Sequence, residues 1–224
     1  MPDLLEAIEI ETAPAPRASI VWMHGLGADG HDFVDIVPAL ALPAGTGVRF
    51  VFPHAPMRPV TINGGYVMRA WYDIRDDHGQ RREDPDGVRA SQKSIEALIE
   101  REKSRGIQAS AIVLAGFSQG GAMALHAGLR HAERLAGIMA LSCSLPLADT
   151  LAAEAAPANR TTPIFMAHGT GDEMIPPARA LRARSVLVEL DYRVEWHEYR
   201  MGHSVCIEEI HDISVWLGTV LAPR

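Results

Sequence analysis

Gly116-Phe117-Ser118-Gln119-Gly120 sets a serine between two glycines, and Gly121 adds a third just beyond. Such a serine suits nucleophilic attack on a carbonyl when it sits on a sharp strand-to-helix turn, where only glycine leaves the chain room to double back. Both flanks fit that geometry. Ala111–Ala115 reads as a buried strand, and Gln119–Leu129 reads as a helix rich in small residues. The plain alternative is a glycine-rich turn with no chemistry.

A serine hydroxyl needs a neutral imidazole to take its proton and a carboxylate to hold that imidazole in the right tautomer. Four histidines follow the helix behind Ser118: His168, His197, His203 and His211. His203 lies in Met201-Gly202-His203-Ser204, a loop between the last strand and the last helix, at the sheet edge expected for Ser118. His197 falls within a strand, His211 within a helix, and His168 precedes the best acid. That acid is Asp172, in Gly171-Asp172-Glu173 just past the strand Pro163–Ala167. Glu173 is its neighbouring competitor, Asp191 falls at the wrong edge, and a helix cap before Pro176-Pro177 is its structural alternative.

A tetrahedral intermediate also needs fixed N–H donors. The N–H of Gln119, the residue after the nucleophile, supplies one by position. His24-Gly25-Leu26-Gly27 follows the strand Ile20–Met23 and can turn the N–H of Leu26 toward Ser118. Gly25, Gly27 and Gly30 also fit the letters of a dinucleotide-binding loop, but no separate nucleotide-binding half accompanies them. No tight His/carboxylate cluster suggests a metal. By topology the acyl pocket is expected to draw on Trp71, Leu145, Met174 and Ile175, with a buried core role as the alternative for Trp71.

These residues require a frame. Ile20–Met23, Val48–Phe52, Ala111–Ala115, Gly137–Leu141 and Pro163–Ala167 are short apolar runs typical of buried parallel strands, and Arg193–Tyr199 has the mixed polarity of an edge strand. Val88, Ile95, Leu98 and Ile99 share one helical face, with Asp84 as cap, Pro85 at the first position and Gly106 past the end. Cys206, Ile210, Ile213, Leu217 and Val220 form the stripe of a final helix. The alternation predicts a mostly parallel sheet with helices on both faces, one domain over residues 1–224 and no separate lid. Two stretches stay irregular: Pro53–Asp84, expected to be an ordered functional loop, and Ser144–Thr162.

Composition narrows the partners. With 47% hydrophobic residues in 224, the chain can bury a core unaided. A net charge of −7 without a basic run argues against nucleic acid, and no apolar run approaches the ~18 residues that span a bilayer. Cys143 and Cys206 match no metal spacing and read as reduced thiols. The N-terminus lacks a signal-peptide pattern, so the expected setting is cytoplasmic, without stable membrane insertion. A homodimer is compatible with the sequence.

From Ser19 to Leu221 the chain resembles the bacterial carboxylesterase and acyl-protein thioesterase family, of phospholipase/carboxylesterase type. The likeness rests on His24-Gly25-Leu26-Gly27, on the stretch Pro59–Tyr66 with Trp71-Tyr72-Asp73-Ile74, on the Ser118 motif, and on Gly171-Asp172 and Gly202-His203. It implies an α/β-hydrolase fold, a Ser118–Asp172–His203 triad, an oxyanion hole from Leu26 and Gln119, and no cofactor. Ala28-Asp29-Gly30 and the Thr61–Gly65 stretch are similar to the carboxylesterase branch, so the expected substrate is a small ester. The absence of a separate lid, with a bulky Trp71 in the loops, sets the expectation at short to medium acyl chains. The alternatives are a thioesterase or lysophospholipase of longer chains and, from another class, a hydrolase-fold binding protein with an idle triad.

Overall fold

A computed structural model describes residues 4–42, 47–77 and 80–222. Seven strands form the central sheet: β1 (Ala7–Glu11), β2 (Ala18–Met23), β3 (Val48–Pro53), β8 (Ile112–Phe117), β9 (Gly137–Leu141), β10 (Ile164–Gly169) and β11 (Val194–Tyr199). Their order is β1-β3-β2-β8-β9-β10-β11, all parallel except β1, which pairs antiparallel with β3. The strands β2, β3, β9 and β10 are buried at every residue, because helices cover both faces and leave no side to water. β11, at the edge, keeps the mixed pattern expected of it.

Five helices cover the faces: α1 (Pro85–Ser104), α2 (Gln119–Arg130), α3 (Ala148–Glu154), α4 (Pro177–Glu189) and α5 (Ile207–Val220). One apolar cluster contains Val88, Ile95, Leu98 and Ile99 of α1 with Met123 and Leu125 of α2. The cluster on the opposite face joins Ile213, Trp216 and Leu217 of α5 to Ile20, Trp22 and Phe50. The start of α1 follows its sequence signals, with Asp84 accepting from the Gly87 N–H at 3.1 Å and Pro85 in the first turn. Among the described residues no helix is long and apolar enough to cross a membrane.

Three features depart from the sequence expectation. β1 is new: Ala7, Ile8 and Ile10 lean on the core only in part, so its half-polar pattern carries little strand signal. The stretch Ser144–Thr162 contains α3, too short to show periodicity. The long connection after β3 is two small hairpins, β4 (Met57–Val60) with β5 (Tyr66–Arg69) and β6 (Ile74–Asp77) with β7 (Gln80–Glu83). The expected order of that segment is present in its described part; residues 78 and 79 lie outside it.

Candidate active site

The chain reverses sharply between β8 and α2. Ser118 takes φ 54° and ψ −119°, a conformation L residues rarely adopt, and its N–H donates to the Leu141 carbonyl at 2.8 Å. The glycines around it permit the turn. A Cβ on Gly116 would lie 2.3 Å from the backbone of Gly120, and one on Gly120 would lie 2.2 Å from the Met23 carbonyl oxygen.

Two loops at the same sheet edge bring in the other groups. The turn after β10 is laced to the turn after β11: Thr170 N–H donates to Tyr199 O at 2.8 Å, and Gly171 N–H to Met201 O at 3.0 Å. Gly169 lies so close to Gly202 that a Cβ would fall 2.3 Å from its carbonyl oxygen. Asp172 is thereby held against His203, whose Nδ1 donates to Asp172 Oδ2 at 2.7 Å. Asp172 Oδ1 accepts from the N–H groups of Met174 and Ile175 at 2.9 and 2.8 Å, fixing the carboxylate. With Nδ1 carrying the proton, His203 Nε2 is left to accept from Ser118 Oγ at 2.9 Å. Phe117 packs on the imidazole with ring centroids 4.7 Å apart.

Two of the competing histidines are elsewhere, whereas His168 Nε2 lies 3.4 Å from Asp172 Oδ2. His197 bonds Glu195, and His211 is exposed beside Asp212. His168 is buried and supports the acid loop by donating from Nε2 to Ile175 O at 2.9 Å. Glu173 makes no part of the relay, and Asp191 lies at the opposite end of β11.

The loop after β2 abuts the nucleophile: a Cβ on Gly25 would stand 3.4 Å from Ser118 Cβ. Gly27, at φ 79°, donates to Arg69 O at 2.9 Å, and Ala28 N–H closes back on Gly25 O at 3.3 Å. His24 anchors the loop, donating from Nδ1 to Gly25 O at 2.7 Å and accepting from Ala55 N–H on Nε2 at 3.0 Å. Burial holds this imidazole below its ordinary pKa against the opposing pull of Gly25, so it stays neutral and both bonds persist. As the first residue of α2, Gln119 has no carbonyl one turn back within the helix to occupy its N–H.

A cavity of about 450 Å³ opens at Ser118 and His203. Leu26, Gln119, Met174 and Ile175 line it, together with Ile62, Tyr72, Ile74, Phe117 and Cys143. Two expected pocket residues do not line it. Trp71 is fully buried behind the wall, with its indole N–H on His24 O and its backbone N–H on Gln119 Oε1, because a large aromatic with a polar tip is stabilised best where that tip finds a partner. Leu145 lines the adjoining groove instead and packs into the α1/α2 cluster. Tyr72, next to Trp71, is one of the lining residues that the sequence does not reveal; burial, with Glu83 and Cys143 nearby, pushes its phenol well above the ordinary range. Burial likewise raises the Cys143 thiol to about 12, leaving it protonated. Among the described residues no group of three or more His, Cys, Asp or Glu is gathered to hold a metal ion.

A parallel sheet whose elbow serine, histidine and aspartate meet at its carboxyl edge defines an α/β-hydrolase-type fold. The chain belongs to the phospholipase/carboxylesterase family, whose pattern matches residues 6–221. An acyl-protein thioesterase 1 of Gibberella zeae is 39% identical to it over 216 residues, covering 92% of each chain. Another from Neurospora crassa is 41% identical over 210 residues, 89% of this chain and 85% of that one. Among solved structures, Arabidopsis thaliana SOBER1 superposes with TM-score 0.85 at 31% identity, covering 92% of this chain and 99% of that one. Zea mays acyl-protein thioesterase 2 gives 0.84 at 28% identity, covering 97% and 100%.

Proposed function

We propose that this protein hydrolyses acyl thioesters and esters through an acyl-enzyme on Ser118, with S-acylated polypeptide as its leading substrate class. The observation that carries the chemistry is the Asp172–His203–Ser118 relay at 2.7 and 2.9 Å, opening on a largely apolar cavity. The names of the fungal relatives weigh the leaving group toward a thiol.

His203 takes the hydroxyl proton as Ser118 Oγ adds to the acyl carbon, and Asp172 stabilises the imidazolium formed. The charge that moves to the carbonyl oxygen meets the N–H groups of Leu26 and Gln119 and the positive end of α2. Collapse of this adduct expels the thiolate or alkoxide, which takes the proton from His203. Water then enters, gives its proton to His203, and releases the carboxylic acid as the proton returns to Ser118. No step calls on a cofactor. Unpaired Cys143 and Cys206 are consistent with the cytoplasmic setting that forms part of this reading.

A second reading, a carboxylesterase of short to medium esters, draws support from the charged residues that bound the cavity. One experiment separates the two: thiol release from an S-octanoyl peptide against phenol release from the matching nitrophenyl ester. Turnover of the ester with none of the thioester replaces the first reading by the second. If Ser118 fails to react with a fluorophosphonate, both give way to a non-catalytic binding protein.

A further inference from the structure

The cavity beside Ser118 does not end on apolar side chains. Arg81, Glu83 and Arg179 line it and also line a neighbouring groove of about 880 Å³, whose walls include Asp77, Asp149 and Arg182. These shared residues are fastened across the opening. Arg179 Nη2 donates to Glu83 Oε1 at 3.2 Å, and Arg81 Nη1 donates to Met174 O at 2.9 Å. The hairpin β6–β7 is thus tied to the acid loop and to the first turn of α4.

The apolar wall gives way to charge within one side chain. Ile74, which lines the cavity, is the cross-strand partner of Glu83, and Arg179 stands four residues beyond Ile175, another lining residue. An alkyl chain leaving Ser118 past Tyr72, Ile74 and Cys143 therefore meets an ion pair that is still partly hydrated, with side chains 32% and 23% exposed. Methylenes that advance farther would strip water from both charges without giving either a new partner, which opposes the gain from burying hydrocarbon.

We propose that the Glu83–Arg179 pair, flanked by Arg81, is the acyl-length stop of this enzyme. The acyl chain lies along the apolar lining and ends at the pair, so medium chains fit and long ones do not. This rests on the acyl-enzyme reading of Ser118 and adds the residues that set chain length.

The test compares wild type with the double variant Glu83→Leu, Arg179→Leu on nitrophenyl esters and matching thioesters of butyryl, octanoyl, dodecanoyl and palmitoyl chains. In wild type, kcat/KM should climb to octanoyl and fall by palmitoyl. The variant should raise the palmitoyl-to-octanoyl ratio by about tenfold or more with either leaving group, since each methylene that gains apolar cover is worth about fourfold. A second variant, Glu83→Gln with Arg179→Met, keeps the bulk and removes the charge; it should move the ratio the same way and serves if the leucine pair misfolds. An unchanged ratio in either folded variant overturns the proposal, as does a wild type that prefers palmitoyl. Binding gives a readout without turnover. Fatty acids of the same lengths titrated into Ser118→Ala should stop gaining affinity beyond octanoate, and should keep gaining once the pair is also replaced. A plateau without hydrolysis in the parent defeats the acyl-enzyme reading alone; hydrolysis without a shift of the plateau defeats the length stop alone.

Discussion

The indole N–H of Trp71 donates to the carbonyl of His24 at 2.9 Å, bolting the segment between the hairpins to the loop that carries Leu26. Gln119 completes the brace: its side-chain oxygen accepts from Trp71 N–H at 2.7 Å, and its amide donates to Tyr72 O at 2.8 Å. Both proposed oxyanion donors are therefore fixed against one buried residue that does not line the cavity.

Trp71→Phe removes the indole donor and leaves the His24 carbonyl short of a partner. Stability should fall by about 1–3 kcal/mol. kcat should drop by about tenfold with KM nearly unchanged, as expected when N–H donors lose their aim at the transition state. Denaturant melts and steady-state kinetics check both. A shifted acyl-length profile would return Trp71 to the pocket.

Ser118→Ala and His203→Ala should each abolish turnover, by at least about 10³-fold, because the relay acts as a unit. His197→Ala and His211→Ala should keep near-wild-type rates, since neither ring reaches the site. Loss of activity in either control would move the base away from His203.

Pocket and relay differ in how far the sequence reveals them. The relay was legible because glycines and loop positions at strand ends are local signals, and Ser118, Asp172 and His203 each follow a strand of the same sheet. The pocket was not, because it depends on which side of a chain segment each residue faces. Trp71 and Tyr72 are adjacent and apolar, yet only Tyr72 reaches the cavity. The Glu83–Arg179 contact joins positions 96 residues apart and leaves no mark on either local pattern. The fold shows the same division: buried parallel strands announce themselves, whereas β1 depends on pairing with distant β3, and the two hairpins are built from short strands of mixed polarity.

Glu209, in the first turn of α5, is fully buried, and neither of its oxygens makes a well-formed hydrogen bond, although the Cys206 N–H lies close enough to pull on the carboxylate. Burial raises its pKa to about 8; the Cys206 N–H only partly offsets this, and Asp212 adds to the rise. The folded protein therefore holds this proton where the unfolded chain would release it. The stabilising contribution is complete below the ordinary carboxyl range near 4.5 and is lost as pH rises toward 8, with a slope of at most about 1.4 kcal/mol per pH unit. Glu209→Gln should gain melting temperature over wild type progressively across that window. A constant difference between the two proteins would show that Glu209 does not titrate there.

His126 sets the opposite limb. Buried within α2, with Nε2 on Gln92 Oε1 at 3.1 Å, it is depressed to about 4 by burial and then by Arg130. The unfolded chain binds this proton first, so stability should be lost as pH falls from about 6.5 toward 4. His126→Gln should flatten that decline in urea melts run at several acidic pH values. An equally steep decline in the variant would assign the acid sensitivity elsewhere.

The distance in sequence between nucleophile and base has a consequence during synthesis. Ser118 and His203 lie 85 residues apart, and the order of appearance on the ribosome is elbow, then acid, then base. The imidazole hydrogen-bonded to Ser118 is therefore added to the chain well after the elbow has been made. No imidazole can take the Ser118 proton until the final segments emerge, so the elbow serine of a growing chain lacks its partner.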